Sequence, residues 1–351
     1  MVAINGREYK PQFPDNFSPG VAIIGCGNIV RSAHIPAYKK YGVNVLGFYD
    51  LSMQAAQSAL QEFGSGRVFG SLTELLQCKG IEVVDMAIHP EQRIPLIFDI
   101  IDAGKHILCQ KPFAANISDA HEIIRRAEKR GVIVAVNQNG RWAPPWRIAS
   151  VLIDAGQIGK INAITHLYDT KFDWISGTIY DRMKHFGIYD YSTHWIDISR
   201  CWMGDETIHA IRAFDYHPPS QDKAAQTPWG LVIEVIYENG ANVMIRGIGC
   251  SETRKRGHLF WIHGSTGTIR GSVLGGDFVE LEKDGVSIRY EIEGQWFPDG
   301  FAGAIGELFC AIAGGRAPYN SAQHALLTLQ ITLAACKSAD ENGKEVNMTE
   351  M

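Results

Sequence analysis

In "GVAIIGCGNIV", residues 20–30, an apolar run leads straight into a G-x-G turn. A continuous apolar run is what a parallel strand covered on both faces requires. A helix is expected directly after it, so the glycines sit between strand and helix, the setting of a dinucleotide-binding fingerprint. Gly25 permits the tight turn, and Gly27 lets the backbone approach a pyrophosphate at the helix N-terminus. The third glycine position holds Val30. A G-x-G alone is common at strand ends, so a second signal matters. Asp50 closes the next strand, "VNVLGFYD". A carboxylate there accepts both ribose hydroxyls of an adenosine and repels a 2′-phosphate. The following "LSMQ" carries no arginine, so the expected cofactor is NAD in preference to NADP. Asp50 also suits a helix N-terminal cap.

Outward from this turn the pattern alternates strand and helix. A helix is expected to Tyr41, then a strand, a helix over Ser52–Phe63, and strands in "VVDMAI" and "KHILC" with "EQRIPLIFDIIDAG" helical between them. "SDAHEIIRRAEKRG" reads as an amphipathic helix with Ser118 as N-cap and Gly131 as its stop, followed by the strand "VIVAVN". Such alternation predicts a parallel α/β sheet. After about residue 140 the pattern changes. A helix in "APPWRIASVLIDAG" precedes longer alternating strands, among them a hairpin in "GLVIEVIYENGANVMIRGIG". Two helices are expected near 300–313 and 321–338. The expected architecture is a Rossmann domain over 1–140, with 1–19 as an N-terminal extension. A second α/β domain with a large, mostly antiparallel open sheet follows over 141–351. "ENGAN" and "RKRGH" read as solvated turns.

The 351 residues suit two domains. A net charge of −5 gives no electrostatic case for nucleic acid or anionic membrane. No apolar run is long enough for a membrane span, and the N-terminus lacks a signal pattern. The seven scattered cysteines, with no C-x-x-C, form neither a zinc pattern nor a disulfide framework. A cytoplasmic location is the expectation.

Two further stretches carry chemistry. "CQKPFA", residues 109–114, places Lys111 just after a buried strand and follows it with Pro112, which fixes φ. "FGIYDYSTHWIDISRCWMG", residues 186–204, sets Asp190 and His194 four apart, on one face of a helix. No second acidic or histidine cluster completes a metal site, so no metal is expected. An imidazole there can act as a general base near neutrality, with Asp190 as its polar neighbour. Asp197 follows on roughly the same side and reads equally as a solvated residue.

The glycine turn, "AHIPAY", Lys111–Pro112, "NQNGRW" and D-x-x-x-H, in this order, resemble the Gfo/Idh/MocA oxidoreductases over about residues 20–340. The resemblance implies a Rossmann domain, a C-terminal domain whose open sheet serves oligomer contacts as a homodimer or homotetramer, and NAD(P)-linked chemistry on sugars, inositols or polyols. It implies cofactor contacts at Gly25, Gly27, Asn28, Ile29, Asp50, His89, Gln110, Lys111 and Asn139. In that family the lysine reaches the reacting oxygen, so Lys111 is assigned to hold it, and a cis Lys111–Pro112 bond is expected. The family's usual glutamate before the lysine is replaced by Gln110.

The expected reaction moves a hydride between a carbinol and the nicotinamide, with His194 or Lys111 transferring the proton. Arg141, Trp142, Trp174, Tyr180, Arg182, Lys184 and His185 are expected toward the cleft; their aromatic faces suit a sugar ring, and they equally suit core or interface. The expected substrate contacts are Lys111, Arg141, Trp142, Trp174, Tyr180, Arg182, Asp190 and His194. Two alternatives stay open: a glycosidase or lyase that oxidises a sugar transiently with NAD, and a non-catalytic NAD-binding sensor.

Overall fold

A computed structural model describes residues 9–252 and 257–348. Arg254–Arg256 of the basic turn and the first eight residues of the N-terminal extension lie outside the described residues. The chain divides into two compact units.

One unit comprises Lys10–Trp142 and Gln295–Leu329. Six parallel strands run in the order β3-β2-β1-β4-β5-β6: β1 Gly20–Ile24, β2 Val45–Tyr49, β3 Arg67–Val68, β4 Ile81–Met86, β5 His106–Cys109 and β6 Val134–Val136. The apolar run of β1 is buried at every position, as its central place demands. Connecting segments form α1 (Ile35–Tyr41, preceded by a π turn over Val30–His34), α2 (Met53–Phe63), α3 (Leu72–Gln77), α4 (Pro90–Asp102) and α5 (Ile117–Arg130). The short pair β3 and α3 had no counterpart in the sequence reading.

Helix α5 begins two residues earlier than expected. Asn116, not Ser118, is its N-cap, with Oδ1 accepting the Asp119 N–H at 2.9 Å. Gly131 ends it in the left-handed region at φ +70°, as expected.

The segment 295–329 was read from sequence with the second domain, yet its helix α8 (Phe301–Gly314) packs in this unit. Phe301, Ile305 and Leu308 join Val21, Ile23 and Val83 in one core. Beyond α8, Asn320 pairs with Val136 through both backbone and side chain, which covers the β6 edge.

The other unit comprises, among the described residues, Tyr9, Ala143–Gly294 and 330–348, the division falling inside α9 (Ala322–Asp340). Its nine strands run β14-β13-β12-β11-β7-β10-β9-β8-β15. Bounds are β7 Ile161–Asp169, β8 Ile208–Tyr216, β9 Gly230–Tyr237, β10 Asn242–Ile248, β11 His258–Gly264, β12 Thr268–Val273, β13 Phe278–Lys283, β14 Val286–Tyr290 and β15 Val346–Asn347. Only the β7–β10 pair is parallel among the described residues. Helices α6 (Pro144–Asp154) and α7 (Thr193–Met203) cover one face. On the other face Leu259, Leu167, Arg246, Val232 and Phe214 lie side by side across five strands, partly exposed.

Candidate active site

In a doubly wound sheet, ligands bind outside the carboxyl ends of the strands, where the strand order reverses. Here that point lies between β1 and β4. Gly25–Ile29 follow β1, Asp50 follows β2, His89 follows β4, and Gln110 and Lys111 follow β5. Thus most of the expected cofactor residues meet at one end of one sheet.

The two glycines have different reasons. Gly25 has φ +85°, and a Cβ on it would stand 2.6 Å from the Ala87 carbonyl oxygen. Gly27 needs glycine for no reason internal to the protein, because a Cβ there would meet nothing within 4 Å. It leaves an open surface at a helix start, which fits a pyrophosphate approaching the backbone. Val30 is fully buried and opens the π turn, so the missing third glycine costs the chain no contact with the open side.

Asp50 is oriented rather than free. Its Oδ2 accepts the Cys26 N–H at 2.7 Å and Oδ1 the Ser52 N–H at 2.8 Å. Ser52, not Asp50, is the N-cap of α2. Each carboxylate oxygen keeps a further lone pair for a ribose hydroxyl.

Lys111 is half-buried, and its bond to Pro112 is cis. A buried arginine that sequence reasoning missed organises this turn. Arg93 on α4 donates to the carbonyl oxygens of Pro112 (2.8 Å), Gln110 and Ile88. An arginine on an amphipathic helix reads from sequence as solvated; only the three converging carbonyls explain its burial.

Asn139 and Arg141, expected at the ligands, are hydrogen-bonded into the scaffold. Asn139 is 2% exposed; its Oδ1 accepts the Trp296 indole N–H at 2.6 Å and its NH2 donates to the Asn137 carbonyl. Arg141 donates to the Tyr319 carbonyl and lies 2.9 Å from His324 Nδ1. Trp142 packs so closely on Gly303 that a Cβ there would stand 2.2 Å from its ring.

In the other unit, Asp190 lies in a π turn, Gly187–Tyr191, and His194 in the first turn of α7. The pair therefore spans a junction of two helix types rather than one regular helix. Both are half-buried. Tyr180 joins them: burial, then the charge of Asp190, pushes its phenol pKa up. Trp174, 53% exposed, meets the Tyr180 ring at 5.6 Å and the Phe186 ring at 5.9 Å. Arg182 is exposed.

Three residues of this region depart from expectation. Asp197 is not solvated; it is 2% exposed and faces Arg200 at 3.8 Å. Lys184 is paired with Asp340. His185, at φ +57°, sets one ring nitrogen 2.8 Å from Asp215 and the other 2.8 Å from Asp340. Those carboxylates, Asp215 foremost, raise its pKa against the opposing effect of burial. Among the described residues no group of three or more His, Cys, Asp or Glu side chains stands where it could hold a metal ion. No helix among them is long and apolar enough to cross a membrane.

A doubly wound sheet with an open glycine turn and an oriented acid on the next strand defines a dinucleotide-binding protein. The pattern described as "Oxidoreductase family, NAD-binding Rossmann fold" matches residues 20–138, and that described as "Oxidoreductase family, C-terminal alpha/beta domain" matches residues 151–348. The chain belongs to this family, the Gfo/Idh/MocA oxidoreductases. It is similar to a D-apiose dehydrogenase of Paraburkholderia graminis, with 30% identity over 53% of this chain and 50% of that protein. The chain thus spans half the length of that relative. A D-apiose dehydrogenase of Rhizobium rhizogenes is 28% identical over 71% of this chain and 72% of its own. A 1,5-anhydro-D-fructose reductase of Ensifer adhaerens is 25% identical over 71% and 74%. Among solved structures, an oxidoreductase from Agrobacterium radiobacter in complex with NAD+, L-tartaric acid and magnesium shares the fold. Its TM-score is 0.85 at 22% identity, covering 95% of this chain and all of that one.

Proposed function

We propose that this chain is an NAD-dependent dehydrogenase or reductase acting on a secondary alcohol or ketone of a sugar, polyol or inositol-like substrate. The observation that carries this reading is Lys111. It stands on the same strand ends as the glycine turn and Asp50, on a turn held from beneath by Arg93. A charged side chain placed beside a dinucleotide site suits stabilisation of an oxyanion. The named relatives act on sugars or sugar derivatives, which supports the substrate class.

When bound, the nicotinamide supplies the hydride acceptor or donor. Lys111 donates a hydrogen bond to the reacting oxygen and stabilises negative charge as it develops there. His194 takes the hydroxyl proton in oxidation and returns it in reduction, with Asp190 as its polar neighbour or a second contact to substrate. Trp174 and Tyr180 present ring faces to the C–H face of the substrate. Gly25, Gly27, Asn28 and Ile29 hold the pyrophosphate, Asp50 the adenosine ribose, and His89 and Gln110 flank the nicotinamide side. The free cysteines suit a reducing cytoplasm. The row across β11, β7, β10, β9 and β8, apolar except for Arg246, supports a homodimer or homotetramer through the open sheet.

The test is a screen of pentoses, hexoses, inositols and their oxidised forms, D-apiose and 1,5-anhydro-D-fructose among them. Absorbance of the reduced cofactor is followed with NAD and NADP. Substrate-dependent NAD reduction, or NADH oxidation by a ketone, is expected. Binding of NADH without exchange of hydride with any member would contradict the reading.

A further inference from the structure

Beneath the Lys111 turn lies a chain of buried polar groups. Asp85, at the end of β4, and His34, in the π turn, are both 0% exposed; Gln110 is 9% exposed. Asp85 Oδ2 is 2.6 Å from His34 Nδ1 and accepts the Tyr38 hydroxyl at 2.7 Å. His34 Nε2 is 3.2 Å from the side-chain nitrogen of Gln110 and 3.5 Å from that of Asn137. Gln110 Oε1 accepts the peptide N–H of Lys111 at 3.0 Å.

The direction of every bond follows from its far end. A peptide N–H only donates, so the Gln110 atom facing Lys111 is the oxygen. The NH2 of Gln110 then faces His34, and His34 Nε2 must accept. Its proton therefore sits on Nδ1 and is donated to Asp85. The Asn137 amide, also approaching through its nitrogen, agrees with this polarity. The groups facing the imidazole are Asp85, Tyr38, Gln110, Asn137 and the Phe301 ring, whose centroid is 5.0 Å away.

We propose that Asp85–His34–Gln110 is a relay of fixed polarity that holds the Lys111 peptide, making His34 and Asp85 positioning residues for Lys111. This rests on the reading of Lys111 as the group that holds the reacting oxygen. Arg93 fixes the carbonyls on either side of Lys111, and the relay fixes the N–H between them. The relay also explains the glutamine. A carboxylate at position 110 would offer His34 Nε2 an acceptor where it now meets a donor.

The test uses the full chain without substrate. Nitrogen NMR of ring-labelled histidine should show His34 in wild type as the neutral Nδ1–H tautomer. Hydrogen exchange of the Lys111 amide should rise about 10-fold or more in His34→Leu, while the Gln110 amide, which donates to the Met86 carbonyl, stays within about 3-fold. His34→Gln, which can still donate to Asp85 and accept from Gln110, should restore Lys111 protection to within about 3-fold of wild type. An Nε2–H tautomer in wild type would overturn the proposal. So would unchanged Lys111 exchange in a folded His34→Leu protein. If His34→Leu does not fold, the wild-type tautomer decides. Normal turnover in Lys111→Ala would remove the catalytic reading and leave these readouts as they stand.

Discussion

At the scale of single residues, Asp50 carries the prediction about cofactor preference. Two backbone N–H groups pin it, so it cannot swing away from a 2′-phosphate without losing both bonds. The expected outcome is a kcat/KM at least about 10-fold higher with NAD than with NADP, the worth of roughly 1.4 kcal/mol of unfavourable interaction. Asp50→Ala should narrow that ratio, and comparable values for both cofactors in wild type would refute the role. His185 makes a different prediction. Its raised pKa means that the folded chain holds its proton more tightly than the unfolded chain does. The stabilisation is complete below the ordinary histidine value and is lost as pH rises through the raised one. His185→Asn tolerates the left-handed backbone but cannot carry the charge. Thermal unfolding should place the variant about 2–4 °C below wild type near pH ~6, with the gap closing at alkaline pH. An equal gap at both ends would exclude the linkage. Neither the ion pairs of His185 nor the burial of Arg93 was legible beforehand, because their partners Asp215, Asp340, Gln110 and Pro112 lie 17 or more positions away.

At the scale of elements, the apolar runs and glycine stops were legible because each reports a local requirement. The buried strand β1, the helix end at Gly131 and the hairpin of β9 and β10 all follow from neighbours in sequence. The start of α5 was misread because Ser118 and Asn116 are both good caps. Only the bond to the Asp119 N–H separates them. Urea unfolding should show Asn116→Ala losing about 1 kcal/mol and Ser118→Ala less than about 0.5. The reverse order would mean that the helix starts at the serine. The Asp190–His194 spacing was legible, but not the π turn that carries Asp190, which no periodicity announces.

At the scale of the whole molecule, both halves of the architecture were legible in the change from alternating helix and strand to long alternating strands. The return of 295–329 to the first unit was not, since α8 is apolar enough to suit either core. The open sheet face predicts self-association. Met244 and Phe214 are 40% and 46% exposed on it. Light scattering at micromolar concentration should give a dimer or tetramer for wild type and a smaller species for Phe214→Arg with Met244→Arg. A wild-type monomer would refute this face as an interface.

The central claim concerns Lys111, and turnover of the Lys111→Ala protein on the best substrate of the screen tests it most directly. Its bond to oxygen strengthens as charge develops, so kcat should fall about 10²–10³-fold. The dissociation constant for NADH should stay within about 3-fold, because the pyrophosphate and ribose contacts are proposed at Gly25, Gly27 and Asp50. Near-normal turnover in a Lys111→Ala protein that folds as wild type by circular dichroism would contradict the account.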